Sequence, residues 1–163
     1  MFDKFRRNNE KEWELGSPAE GFCKPLSEVP DPVFSEEILG KGVAIELSNG
    51  RIVSPVNGVV TTAFQTGHAL AIRSKGGIEM LIHIGIDTVQ LNGKYFTSHV
   101  IQNQKVKKGD LLIEVDYKGA ESQGFHMITP VIICNTSDYG DVEGITGQKV
   151  TYEDKVIQLK PKE

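Results

Sequence analysis

The sequence predicts an all-β fold of antiparallel strands, with at most short helical turns. Glycine and proline are frequent, at 17 and 7 of 163 residues, and such punctuation divides a chain into short strands and tight turns. Five apolar runs follow one another between residues 42 and 84, too close together for crossover helices. The form S-P-x-x-G-apolar occurs twice, starting at Ser17 and at Ser54, and reads as two corners where a sheet folds back on itself. At such a corner proline fixes φ on entry and glycine supplies a positive φ on leaving.

Residues 1–12 stand apart as a flexible tail, with Met1, Phe2 and Phe5 as their only apolar side chains. One amphipathic turn with Phe2 and Phe5 beside Lys4, Arg6 and Arg7 would touch an anionic membrane surface weakly. From Trp13 onward the pattern becomes strands and turns. Residues 42–47 (GVAIEL) read as a strand, 48–50 as a turn in which Asn49 and Gly50 tolerate positive φ, and 51–53 as the next strand. Residues 59–64, 68–73 and 78–84 follow as strands, with turns at 55–58, 65–67 and 74–77. Further on, 107–110 is a turn before a strand at 111–115, and the polar stretch 117–126 holds one short helix. Residues 127–134 read as a strand containing Pro130, which places it at an edge or bulge, and 155–159 as the last strand.

The net charge is −4 with both signs interspersed, and no basic stripe carries interleaved aromatics, so nucleic acid is not an expected partner. Two cysteines, Cys23 and Cys134, do not make a disulfide framework in a chain of this length and read as reduced thiols. No apolar run reaches membrane-spanning length and the N-terminus lacks an apolar core of secretory type, so the expected location is the cytoplasm.

Of the four histidines, His99 and His126 lie in weakly patterned segments and read as ordinary surface residues. His83 sits in the run 80–87 (MLIHIGID), where Gly85 removes bulk on the His83 face and Asp87 falls at the strand end, placed to orient the ring or a partner. If the hairpin turns evenly around residues 74–77, His68 lies opposite His83 on the paired strand. Two facing neutral imidazoles serve as a nucleophile with a charge stabiliser, as two metal ligands, or as a polar pair with no chemistry. Spacing alone leaves all three open.

The segments 29–35 (VPDPVFS), 53–59 (VSPVNGV), 64–69 (FQTGHA), 82–91 (IHIGIDTVQL), 104–110 (QKVKKGD) and 129–132 (TPVI) continuing to Asn135 form an ordered set of motifs. In that order they resemble the glucose-type EIIA domains of the bacterial sugar phosphotransferase system. The resemblance implies that residues 13–163 form one EIIA type 1 domain, an antiparallel β-sandwich that is partly a flattened barrel. It implies phosphoryl transfer from the phosphocarrier HPr to His83 and onward to a cysteine of a IIB domain, which serves a IIC membrane domain. His68 would then stabilise the phosphoryl group, and Thr66 would hold the His68 ring. Neither cysteine here stands in a IIB-like context, so the chain reads as IIA alone.

Around the site, Asp31 and Asp87 would meet basic groups of the donor. Val33, Phe34, Ile38, Leu39, Phe64 and Leu70 are candidates for an apolar docking ring, with core packing as the alternative for each. No cofactor is required on this reading. Zn²⁺ at His68 and His83, completed by a ligand from a partner, is a further expectation. Two rivals remain: a zinc-dependent hydrolase with Asp87 as third ligand, and a biotinyl- or lipoyl-type carrier module. The carrier lacks its target lysine tripeptide here.

Overall fold

The structure, a computed structural model, describes residues 12–163. The tail expected to touch a membrane surface therefore lies almost wholly outside the described residues. Among the described residues, fourteen short strands make up most of the regular secondary structure: β1 Glu14–Gly16, β2 Gly21–Pro25, β3 Lys41–Leu47, β4 Arg51–Val53, β5 Gly58–Ala63, β6 Ala69–Ser74 and β7 Glu79–His83 in the first half. The second half adds β8 Phe96–Ser98, β9 Lys105–Val106, β10 Leu111–Val115, β11 Ile128–Ile133, β12 Asp141–Gly144, β13 Gln148–Val150 and β14 Lys155–Lys160. All pairings are antiparallel, and the strands form one eight-stranded sheet, β13-β2-β3-β11-β7-β6-β5-β9, and two three-stranded sheets, β1-β14-β12 and β4-β10-β8. The sheets enclose one continuous core in which Leu15, Ile45, Ile72, Ile82 and Leu112 are fully buried. The all-β expectation is met, and the short helix expected within 117–126 is α2, Tyr117–Ser122 (the second of two among the described residues).

The first helix, α1 Pro32–Ser35, was not expected, although its start signals stand in the sequence. Asp31 accepts a hydrogen bond from the Val33 amide as the helix cap, and Pro32 occupies the first helical position. The segment 26–39 lies over the outer face of the large sheet. There Leu26, Phe34, Ala44, Ile86, Ile128 and Ile132 make a second, smaller apolar cluster.

The two S-P-x-x-G corners do form the same structure. Ser17 Oγ donates to the Ala19 carbonyl at 2.6 Å, as Ser54 Oγ does to the Val56 carbonyl at 2.7 Å. The glycines act differently from the expectation, because neither Gly21 nor Gly58 has a positive φ. A Cβ on Gly21 would lie 1.9 Å from the Glu46 carbonyl oxygen, and one on Gly58 would lie 2.2 Å from that of Arg73. They permit close approach of the neighbouring strand.

The likeness extends to the pairing. Glu14 pairs with Gln158 and Leu15 with Ile157, as Arg51 pairs with Glu114 and Ile52 with Ile113, and both ladders slip at the same step. Gly21 pairs with Leu47 and with Val150, as Gly58 pairs with Ser74 and with Val106. The large sheet therefore reads alike from both edges and meets itself at the central pair, β11 with β7.

Pro130 is not on an edge strand, because β11 is central and pairs with both β3 and β7. The Cys134 amide donates to Glu79 on β7. Since backbone groups alternate sides along a strand, the nitrogen of Pro130 faces β7 as well. It falls just beyond the last β7 partner, Val131 with Ile82, so the missing donor interrupts no ladder bond.

Candidate active site

The two imidazoles meet, but not by the expected register. Ala69 pairs with His83, and the Ile84 amide donates to the His68 carbonyl, so His68 stands opposite Ile84. The loop explains the shift. Ser74 and Ile78 pair across an odd loop of three residues, with Gly77 at φ 96°, and not across an even turn. A one-residue slip inside a regular ladder would turn His68 to the other face. His68 escapes that rule because it precedes β6, directly after Gly67 at φ 73°. The ring centroids of His68 and His83 lie 5.3 Å apart, nearly perpendicular.

Each ring has an aromatic neighbour and one fixed nitrogen. Phe34 lies 5.0 Å from His83 and Phe64 5.1 Å from His68, centroid to centroid. His83 Nδ1 donates to the Gly85 carbonyl at 2.7 Å, which leaves its Nε2 with a free lone pair. His68 Nδ1 bonds to the Thr66 hydroxyl, the expected partner. With the hydroxyl as donor, the His68 proton resides on Nε2 and is free to be donated.

Burial lowers the basicity of both rings. His83 is held below the ordinary histidine range by desolvation, opposed by the Gly85 carbonyl and by the charges of Asp31 and Asp87. His68 is lowered by desolvation and then by positive charge at His83. Both are therefore neutral near pH 7, the state a nitrogen nucleophile needs.

Gly85 does not act as expected. It lies beyond the strand at φ 77°, with Thr88 and Met127 packed against its α-carbon. It does not clear the His83 face; it supplies the carbonyl that orients the ring. Asp87, at φ 60°, is exposed and influences His83 through its charge, while the ring's hydrogen bond goes to Gly85. Among the described residues no group of three His, Cys, Asp or Glu side chains is placed to hold a metal ion, so Asp87 does not complete a site with the two histidines.

Of the candidate docking residues, Val33, Ile38, Leu39 and Phe64 are exposed, Ile38 most at 66%. Leu70 and Phe34 are buried, and the docking assignment fails for both. Leu70 belongs to the main core, and Phe34 packs in the smaller cluster and against His83. Two residues escaped the sequence reading. Val89, two positions after Asp87, is 51% exposed, and Thr88 is fully buried. Their alternation follows the 3-10 turn Thr88–Leu91, which a strand-based reading of this segment passes over.

Residues 13–139 match the model of a family described as "phosphoenolpyruvate-dependent sugar phosphotransferase system, EIIA 1". The chain belongs to this family. EIIA components are phosphotransferase proteins that pass on phosphoryl groups. The domain is 41% identical over 157 residues to a "PTS system glucose-specific EIIA component" of Oceanobacillus iheyensis, covering 96% of this chain and 95% of that one. It is 49% identical over 150 residues to a "PTS system beta-glucoside-specific EIIBCA component" of Halalkalibacterium halodurans, covering 92% of this chain but 23% of that protein. The EIIA domain thus spans under a quarter of such multidomain relatives. In three dimensions it resembles a solved glucose permease IIA from Mycoplasma capricolum, with a TM-score of 0.82, 38% identity and coverage of 88% of this chain and 93% of that one. The antiparallel sandwich is the fold expected of this family. These relatives give no support to the hydrolase and carrier-module alternatives.

Proposed function

We propose that this EIIA domain accepts a phosphoryl group from phospho-HPr on Nε2 of His83 and passes it to a cysteine of a IIB domain, for sugar uptake through a IIC domain. The observation that carries this reading is the bond from His83 Nδ1 to the Gly85 carbonyl; a carbonyl only accepts, so the proton belongs on Nδ1 and Nε2 is left as nucleophile. In loading, the Nε2 lone pair attacks phosphorus, the bond from phosphorus to the donor breaks, and the donor keeps that electron pair. In unloading, the IIB thiolate attacks and the P–N pair returns to His83. His68 Nε2–H donates to a phosphoryl oxygen as charge shifts in either step, and Thr66 keeps that proton in place. Asp31, Asp87 and the exposed Val33, Ile38, Leu39 and Phe64 form the face that meets HPr and IIB. The sugar is set by the permease partner. Among the described residues no helix is long and apolar enough to cross a membrane, and a chain serving HPr and IIB works on the cytoplasmic side.

The direct test is incubation with phosphoenolpyruvate, enzyme I and HPr, followed by intact mass. One acid-labile, base-stable phosphoryl group is expected, and none on His83→Ala. Loading of that variant at the wild-type rate would refute the assignment. Zinc is a subsidiary reading. The two imidazoles supply two ligands of the four a tetrahedral ion needs, so binding is weak until a partner adds another, and it competes with phosphorylation. Stoichiometric tight zinc in the isolated domain would speak against it.

A further inference from the structure

Thr88 is completely buried, yet no step of the transfer uses it. Its hydroxyl donates to the Ile84 carbonyl at 2.6 Å. The Ile84 amide donates in turn to the His68 carbonyl at 2.7 Å. Both polar backbone groups of Ile84 are thus engaged, one toward the first imidazole and one toward Thr88. Gly85 comes next and offers the carbonyl that receives the His83 Nδ1 proton. A glycine at φ 77° swings freely unless its neighbours hold it. Thr88 Cγ2 and Met127 Sδ close the space, standing 2.6 and 2.7 Å from where a Cβ on Gly85 would be. The Ile86 amide fixes the far side by donating to the His126 carbonyl at 2.9 Å. Among these restraints Thr88 is the one side chain that holds the 84–85 peptide by a hydrogen bond.

We propose that Thr88 is a positioning residue. Through the Ile84 carbonyl it sets the Gly85 carbonyl, and that carbonyl keeps His83 as the Nδ1–H tautomer with Nε2 unprotonated and available. The tautomer belongs to the resting protein, and only the kinetic consequence rests on the phosphoryl-acceptor reading of His83. A hydroxyl is required, since a methyl in its place fills the same volume and leaves the Ile84 carbonyl buried without its donor.

The test compares Thr88→Val, which keeps shape, with Thr88→Ser, which keeps the hydroxyl. Long-range proton–nitrogen NMR of the labelled protein reads the His83 tautomer, and rapid mixing with phospho-HPr reads loading. Thr88→Val is expected to give mixed tautomers and loading slowed about tenfold, the lower end of effects from lost supporting partners. Thr88→Ser is expected to restore both. A single Nδ1–H tautomer in Thr88→Val overturns the proposal, and so does failure of Thr88→Ser to restore the tautomer. If Thr88→Val does not fold, Thr88→Ala removes the hydroxyl without adding bulk and is read the same way. Mixed tautomers in the variant with no loading even of wild-type protein would sustain Thr88 and sink the acceptor reading of His83.

Discussion

Replacing Gly85 with alanine separates two costs that coincide at this position, and Gly77→Ala provides the internal comparison. Both glycines have positive φ, 77° at Gly85 and 96° at Gly77, a region that costs an L-residue about 1–2 kcal/mol. A Cβ at Gly77 meets nothing within 4 Å, so that cost stands alone. A Cβ at Gly85 would sit 2.6 Å from Thr88 Cγ2 and 2.7 Å from Met127 Sδ, both in buried side chains. Relieving such overpacking adds about 1–3 kcal/mol. The expected destabilisation is therefore about 1–2 kcal/mol for Gly77→Ala and about 2–5 kcal/mol for Gly85→Ala, out of the 5–15 kcal/mol typical of a domain. Urea unfolding followed by circular dichroism measures both. Loading from phospho-HPr should fall only in Gly85→Ala, because the shifted peptide carries the His83 acceptor with it. Equal destabilisation of the two variants, or normal loading of a folded Gly85→Ala, would refute the account of this loop.

Leu70→Ala should cost about 2–5 kcal/mol as a core cavity, while exposed Ile38→Glu should leave stability nearly unchanged and weaken HPr and IIB docking; unfolding and binding titrations read the two effects apart. Because both folded imidazoles titrate low, the unfolded chain takes up protons first as pH falls, so their contribution is favourable above about pH 6.5 and stability declines as pH drops through the folded midpoints. NMR titration should show both midpoints below that value, with His83→Gln moving His68 upward. Glu153, at φ 78°, stands where the matching turn has Gly109 at φ 94°. Glu153→Gly should therefore raise stability by about 0.5–1 kcal/mol, the αL relief less the entropy of glycine, read as a higher thermal midpoint.

The strands between 42 and 84 were legible because turn residues punctuate them, and each boundary fell within about a residue. The two histidines were legible as a pair, but through a register the chain does not use. An odd loop at Gly77 and a bend at Gly67 shift the strand and turn the ring, and together they restore the contact. Burial was not legible: Leu70 and Phe64 are both apolar and close in sequence, yet one is core and the other surface, which is decided by the sheet across from them. The anchor of His83 escaped because it is a backbone carbonyl, and no residue type marks where a carbonyl points. Helix α1 could have been read from Asp31 and Pro32, whose capping chemistry is local.

The matched pairing of the two halves has a consequence for where the paired histidines sit. Reading the large sheet from either edge, His83 on β7 falls at the place that Ile132 holds on β11. Between β2 and β3 the chain makes a long excursion that roofs over Ile132, whereas between β5 and β6 it makes only the short turn that leads into His68. One half is therefore closed and the other open. The roof of the closed half also reaches past its own boundary, bringing Phe34 against the ring of His83 and the charge of Asp31 near it. The open half carries both imidazoles with Thr66 and the Gly85 carbonyl that hold them, and the closed half adds Phe34 and the charge of Asp31. Two copies of the open half would therefore keep the imidazole pair and its hydrogen bonds but lose the aromatic and acidic neighbours that the roof of the closed half brings to His83.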